Sequence, residues 1–284
     1  MLYILFDIGG TKTRVAVSRD LKKIETPIVY ETPQDGAEGV AFLIDTIKQM
    51  IDGEQITACG GGIRGLLNHD KTMLEEDSIL SGWMGIPLAE TLRKELDAPV
   101  YLENDTALVG LGEMYFGAGE REGIMVYHTV STGVGGVRIV DGKIAPNESG
   151  FEPGHQVLDM DRSVLGEDIP HTLENLVSGT ALERRTGKKP YDIPQDDDIW
   201  DELAKYLGFG LKNTILYWSP EKIILGGSMI VGNPRIRIAD IKKYLFTHME
   251  KGKNIPEIIP ATLEDKGGLY GAMVFLGQKL GIML

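Results

Sequence analysis

Cysteine is almost missing from this chain. One thiol, Cys59, in 284 residues excludes an intramolecular disulfide and any multi-cysteine metal cluster, and suits a reducing compartment. Positive charge is scarce as well: 29 Lys+Arg stand against 42 Asp+Glu, a formal net charge of -13. That balance argues against broad electrostatic binding to nucleic acid or to an anionic membrane. It leaves room for a small anion held by locally oriented donors. No stretch reaches the ~20 uninterrupted apolar residues of a membrane helix. The opening run Met1-Leu2-Tyr3-Ile4-Leu5-Phe6 meets Asp7 and Gly9-Gly10 without the basic leader and long apolar segment of a signal peptide. A cytoplasmic protein is expected. What the chain does have is a globular composition, 42% hydrophobic and 25% charged, long enough for one large domain or two of ordinary size.

Strand and helix patterns alternate. Residues 3–7 are an apolar run, Gly9-Gly10 a turn, and Arg14-Val15-Ala16-Val17-Ser18 a second strand, so the chain opens on a β-hairpin. Ile28-Val29-Tyr30 reads as a third strand and 39–50 has helical spacing. Ile56-Thr57-Ala58-Cys59 is a short apolar run leading into Gly60-Gly61-Gly62; 88–96 and 106–116 read as helices around a buried strand at Val100-Tyr101-Leu102. The polar stretch 188–198 reads as a surface connection between helices at 181–185 and 199–211. This is an α/β chain with a mainly parallel or mixed sheet. The first hairpin has an echo: Gly133-Val134-Gly135-Gly136-Val137-Arg138-Ile139-Val140 repeats the pattern of Gly9-Gly10-Thr11-Lys12-Thr13-Arg14-Val15-Ala16-Val17. Two halves that each open on such a hairpin suggest a duplicated fold with a cleft between them.

Two glycine turns are candidate phosphate sites, Asp7-Ile8-Gly9-Gly10-Thr11-Lys12 and Ser131-Thr132-Gly133-Val134-Gly135-Gly136. Glycine lets backbone N–H groups approach an anion, and Thr11, Lys12 and Thr132 add side-chain donors. Asp7, at a strand end, is suited to Mg²⁺ held through water. Neither turn is a Walker motif or a dinucleotide fingerprint. Glu103-Asn104-Asp105 ends a strand where α/β clefts form, which makes Asp105 a candidate proton acceptor; Asn or Asp there is equally a helix N-cap. Glu152-Pro153-Gly154-His155 and Glu174 would suit a polyhydroxylated ligand. Thr180-x-x-Glu183 reads as a capping box. Ile223-Ile224-Leu225-Gly226-Gly227 reads as a core strand with a turn, or as a surface for an adenine.

In that order the motifs resemble the ROK family of sugar kinases and repressors, within the actin-like, hexokinase-type ATPase superfamily. The resemblance spans nearly the whole chain. It implies a duplicated actin-like (ribonuclease H-like) fold of two domains around a cleft: a smaller one over 1–106, onto which a C-terminal helix at 271–284 returns, and a larger one over 107–270. It implies ATP-dependent phosphorylation of a hexose, foremost glucose or a close relative at the 6-position, with Asp105 as base. Gly65, Asn104, Asp105, Glu152, His155 and Glu174 would contact the sugar. Asp7, Gly9, Gly10, Thr11, Lys12, Thr132, Gly133, Gly226 and Gly227 would serve ATP and its Mg²⁺. Other readings are a polyphosphate-using hexose kinase, an N-acetylhexosamine or fructose kinase, a non-catalytic sugar sensor, and a repressor. The repressor would need an N-terminal helix-turn-helix ahead of Tyr3. A homodimer is implied by the resemblance alone. The family's zinc site is not expected, since the cysteines that would join His155 are missing between Gln156 and Leu173. Ile79 stands where many members carry Asn, and Ser131 replaces a glycine of the second phosphate loop.

Overall fold

Burial on both faces explains why the first strand is apolar at every position but Asp7. In a computed structural model that describes residues 1–249 and 255–282, strand β1 (Tyr3–Ile8) is buried at every position, as a central strand should be. It pairs antiparallel with β2 (Lys12–Ser18), from Tyr3↔Ser18 to Ile8↔Thr13. β3 (Ile28–Glu31) extends the sheet beyond β2. Helix α1 (Gly36–Ile51) is capped by the Asp35 side chain, which accepts the Glu38 N–H. It leads to β4 (Ala58–Ile63), parallel to β1. The glycines 60–62 therefore lie inside a strand. The Phe6 ring explains one of them: a Cβ on Gly61 would sit 2.2 Å from it.

A two-stranded hairpin, β5 (Leu66–Leu67) and β6 (Leu74–Glu76), and helix α2 (Leu88–Leu96) precede β7 (Val100–Asn104), which runs parallel to β4. Helix α3 (Asp105–Phe116) follows directly, with Asn104 as its N-cap. The sheet order is β3-β2-β1-β4-β7.

The same plan then recurs. β8 (Ile124–Val130), β9 (Val134–Val140) and β10 (Lys143–Ile144) form an antiparallel meander. Helices α4 (Leu173–Val177), α5 (Gly179–Thr186) and α6 (Ile199–Trp218) lead to β11 (Lys222–Gly226), parallel to β8. After α7 (Ser228–Val231) and α8 (Ile238–His248), β12 (Glu257–Pro260) completes the order β10-β9-β8-β11-β12. The hairpin echo in the sequence is thus one part of a repeated five-stranded topology. The cap of α5 is Ser178, whose hydroxyl accepts the Ala181 N–H, and not Thr180. Ser178 has the extended backbone a cap requires, whereas Thr180 already lies within the first turn.

Contacts divide the chain into two units: Met1–Gly117 with Pro146–Gly150 and the segment from Leu263 on, and Ala118–Ala145 with Phe151–Thr262. Each has its own core, one around Phe6, Leu43, Ile47 and Trp83, the other around Val126, Leu176, Leu207 and Ile223. The division falls after Gly117, beyond the boundary at 106 drawn from sequence, because α3 packs along α9 (Gly267–Lys279). Their approach leaves no room for side chains: a Cβ on Gly271 would lie 1.7 Å from the Leu108 carbonyl oxygen. The C-terminal helix begins at Gly267 instead of 271, and positions 283–284 of the expected range lie outside the described residues. Among the described residues no helix is long and apolar enough to cross a membrane.

Candidate active site

In the first unit the candidate groups gather where β1, β4 and β7 end. Asp7, one residue before the end of β1, faces Arg14 across the hairpin and Gly62 across the parallel pair. Arg14 Nη1 lies 3.5 Å from Asp7 Oδ2, and its Nη2 lies 3.2 Å from Asp265 Oδ1. A Cβ on Gly268 would come within 2.6 Å of the Asp7 carboxylate, so the start of α9 needs glycine to lie against it. Burial pushes the Asp7 carboxyl up to about 7, and Asp105 adds to the rise against the opposing pull of Arg14.

The turn after β1 is held by its carbonyls. Thr32 Oγ1 donates to Gly9 O at 2.8 Å, Thr32 N to Thr11 O at 2.9 Å, and Gly9 N to Lys12 O at 3.0 Å. Among the described residues the N–H groups of Gly10 and Thr11 have no protein partner. Thr11 and Lys12 are exposed. The geometry is a two-donor anion nest.

Asp105 opens α3. Its Oδ1 accepts the Thr106 N–H at 2.6 Å and the Thr106 hydroxyl at 3.3 Å; Oδ2 has no partner among the described residues. Burial raises its pKa, while Arg64 and the Thr106 hydrogen bonds oppose the rise. Asn104 is already engaged by the fold: Oδ1 caps Ala107 N at 3.0 Å, and Nδ2 donates to Gly65 O at 3.0 Å. Gly65 adopts φ +97° against Asp77 and Leu74, a left-handed backbone that favours glycine. Two ion pairs fasten the hairpin around it: Arg64 Nε to Asp77 Oδ1 at 3.2 Å, and Lys71 Nζ to the buried Glu103 at 2.6 Å. Ile79 and Arg64 flank Gly10, at 2.9 and 3.3 Å from where its Cβ would be.

In the second unit the turn 131–133 joins β8 to β9. Ser131 N donates to Gly133 O at 2.8 Å, and the N–H groups of Thr132 and Gly133 have no protein partner among the described residues. Three neighbouring segments meet this turn. Glu174 Oε2 accepts the Val134 N–H at 2.7 Å. Gly154 lies so close that a Cβ there would be 2.2 Å from Val134 O. Gly179 N donates to Ser131 O at 2.7 Å. Gly227, at φ +85°, packs on Val130 O at the end of β8, and Ser228 Oγ pairs with Ser131 Oγ at 3.1 Å. Gly226 faces Thr129 across the sheet. His155 and Glu152 are exposed on the turn Pro153–His155, with Nδ1 and Oε2 3.8 Å apart.

Within the first unit, then, Asp7, Gly9, Gly10, Thr11, Lys12, Gly65, Asn104 and Asp105 occupy neighbouring strand ends and turns. Within the second, Glu174 and Gly227 meet the residues flanking the turn of Thr132 and Gly133, Gly226 pairs with Thr129, and Glu152 and His155 lie in the segment whose Gly154 packs on Val134. Sequence reasoning gave no role at the site to Arg14, Asp265, Gly268, Arg64, Asp77, Lys71 or Ser228. Only the Asp-Lys-Gly-Gly run at 265–268 offered a local signal, another acid beside a glycine pair.

The chain belongs to the ROK family, whose model matches residues 3–279. It is 28% identical to a putative fructokinase of Bacillus subtilis, covering 96% of this chain and 95% of that protein. To a glucokinase of Thermotoga maritima it is 25% identical, over 97% of each. The crystal structure of a ROK hexokinase from Thermus thermophilus superposes with a TM-score of 0.84 at 26% identity, covering 99% of this chain and all of that one. The fold is the two-domain actin-like fold of these enzymes, and the protein is a sugar kinase acting on a hexose.

Proposed function

We propose that the chain transfers the γ-phosphoryl group of ATP to the 6-hydroxyl of glucose or a close relative. One observation carries this reading: Asp105 has one carboxylate oxygen fixed by Thr106 and the other without a partner among the described residues, in surroundings that raise its proton affinity. Such a group suits general-base work on a sugar hydroxyl. Asp105 Oδ2 accepts the hydroxyl proton as the sugar oxygen attacks in line. Thr106 keeps the carboxylate from turning. The unpaired N–H groups of Gly10, Thr11, Thr132 and Gly133 take phosphate oxygens, and Lys12 adds charge; Gly226 and Gly227 leave room for the adenosine. A loose phosphoryl transition state asks for positioning and charge stabilisation more than covalent help.

Asp7 fits the Mg²⁺ that such a transfer uses. Burial and two nearby acids make its carboxylate hold a proton up to about pH 7, a cost that a cation relieves. Asp7 would hold the ion, usually through water, since Mg²⁺ keeps much of its hydration shell. A cation held there would supply charge neutralisation for the phosphates. Gly65 and Asn104 in the first unit, and Glu152, His155 and Glu174 in the second, are the sugar contacts.

A second reading, fructose as acceptor, is favoured by the higher identity to the B. subtilis protein than to the T. maritima one. A coupled assay of the purified chain against glucose, mannose, fructose, allose and N-acetylated hexosamines, with ATP or polyphosphate as donor, decides. Glucose with ATP should give the highest kcat/KM. Fructose in that place would reverse the choice of acceptor, and polyphosphate in that place the choice of donor.

A further inference from the structure

Glu174 touches the backbone of the second glycine turn. Its Oε2 lies 2.7 Å from Val134 N, while Oε1 has no partner among the described residues. Val134 is the first residue of β9, directly after Thr132 and Gly133. The other side of the same residue is pressed by Gly154, from the turn that carries Glu152 and His155. Both sugar-facing segments of this unit therefore bear on one residue at the edge of the phosphate turn. A carboxylate with one oxygen on a backbone N–H and the other unspent can serve two ligands at once.

We propose that Glu174 is a strut shared by acceptor and donor. Oε2 holds the Val134 N–H and so fixes the turn that offers Thr132 and Gly133 to the nucleotide phosphates, and Oε1 receives a sugar hydroxyl. Sugar binding orders the carboxylate, the carboxylate orders the turn, and the nucleotide meets a preformed nest. The coupling is reciprocal: the factor by which sugar tightens nucleotide equals the factor by which nucleotide tightens sugar. The strut's role at the phosphate turn stands on the Val134 contact; the sugar half rests on the proposed hexose-kinase function. Glu174 is in this respect a positioning residue for the donor.

The test uses calorimetric titration of the full chain with Mg²⁺ and a non-hydrolysable ATP analogue, with and without saturating glucose. Glu174→Ala removes the acceptor for the Val134 N–H and should weaken the analogue about tenfold without sugar, roughly 1.4 kcal/mol. Its sugar-dependent tightening should vanish. Glu174→Gln keeps an amide oxygen for the Val134 N–H, so analogue affinity without sugar should stay near wild type while the KM for sugar rises. A Glu174→Ala variant that binds the analogue like wild type, or a Glu174→Gln variant as weak as Glu174→Ala, overturns the strut. The titration without sugar needs no acceptor, so a wild type that phosphorylates no hexose yet loses analogue affinity on Glu174→Ala refutes the hexose reading and supports the strut at the phosphate turn.

Discussion

The two sheets repeat one strand order, and the correspondence reaches single residues. One position before the end of each first strand, Asp7 faces Gly62 in one sheet and Thr129 faces Gly226 in the other. Among the described residues, each hairpin turn leaves two adjacent N–H groups without a protein partner. The side chains at these strand ends diverge. The first unit surrounds its strand ends with acids: Asp7, Glu103 and Asp105, balanced by Arg14, Lys71 and Arg64. At the same level of the second sheet stand Thr129 and the neutral, buried His128, whose Nε2 is 3.0 Å from Thr214 Oγ1. Duplication therefore preserved the backbone that presents N–H groups to an anion. Ionisable groups are concentrated in one copy, where the proposed function puts its base and its cation ligand. In the other copy the carboxylate that touches the turn is that of Glu174, on the Val134 N–H.

Breaking the first copy's chemistry should have the largest effect. Asp105→Ala should lower kcat by about 10³-fold, ~4 kcal/mol of transition-state stabilisation, with nucleotide affinity nearly unchanged. Thr132→Ala, in the other copy, should cost a few-fold in KM for ATP and little in kcat. Steady-state kinetics on both variants checks the contrast; equal losses of kcat would erase it. Next in size is the close contact of α3 with α9 in the first unit. Gly271→Ala forces a methyl into the Leu108 carbonyl and should destabilise by ~3 kcal/mol. A melting temperature lower by roughly 6–12 °C would follow, and an unchanged one would mean that α3 and α9 separate freely.

Lys71→Met should come third. It strands the Glu103 carboxylate, which is 6% exposed, and frees the hairpin that carries Gly65. Because Lys71 itself is partly exposed, the cost should be near ~2 kcal/mol, less than that of breaking a fully buried pair. The KM for sugar should rise about tenfold, with the KM for ATP changing much less. Parallel shifts in both would make the pair a general stabiliser instead.

The elements that sequence predicts well are those whose cause is local. The run 3–8 alternates with nothing polar until Asp7, and a glycine pair at once turns it back, so hairpin, turn and strand-end acid are all visible in a dozen letters. The repeat was visible for the same reason. Gly60-Gly61-Gly62 looked like the end of a strand because the Phe6 ring that demands a glycine there is distant in sequence. Thr180 fits a cap pattern in the sequence, and the backbone geometry puts the cap at Ser178 instead. Lys71 with Glu103, Arg14 with Asp265, and Glu174 with Val134 join segments far apart in the chain, so no spacing rule announces them. Asp105 and Glu174 were nameable as candidates, whereas what holds each of them was not.

The last test of the contrast between the copies is also the sharpest, because their buried groups titrate in opposite senses. Asp7 has its carboxyl pushed from 3.8 to about 7, chiefly by burial. The native state then holds a proton that the unfolded chain has already released between about pH 4 and 7, so this group's contribution to stability falls as pH rises through that window. His128 is pushed down from 6.5 to about 4 by burial alone. Here the unfolded chain takes up a proton that the native state refuses, and stability is lost as pH falls from about 6.5 towards 4. Each slope is at most ~1.4 kcal/mol per pH unit. Hydrogen exchange without ligands should find the β1 and β4 amides less protected at pH 7 than at pH 5, and those of β8 and β11 less protected at pH 4.5 than at pH 6.5. Asp7→Asn should flatten only the first slope and His128→Gln only the second. Slopes of the same sign in both sheets would mean that the copies share one buried electrostatic pattern after all. Saturating Mg²⁺ with the ATP analogue should remove the Asp7 slope and leave that of His128 in place, since a cation at Asp7 displaces the proton on which the slope depends.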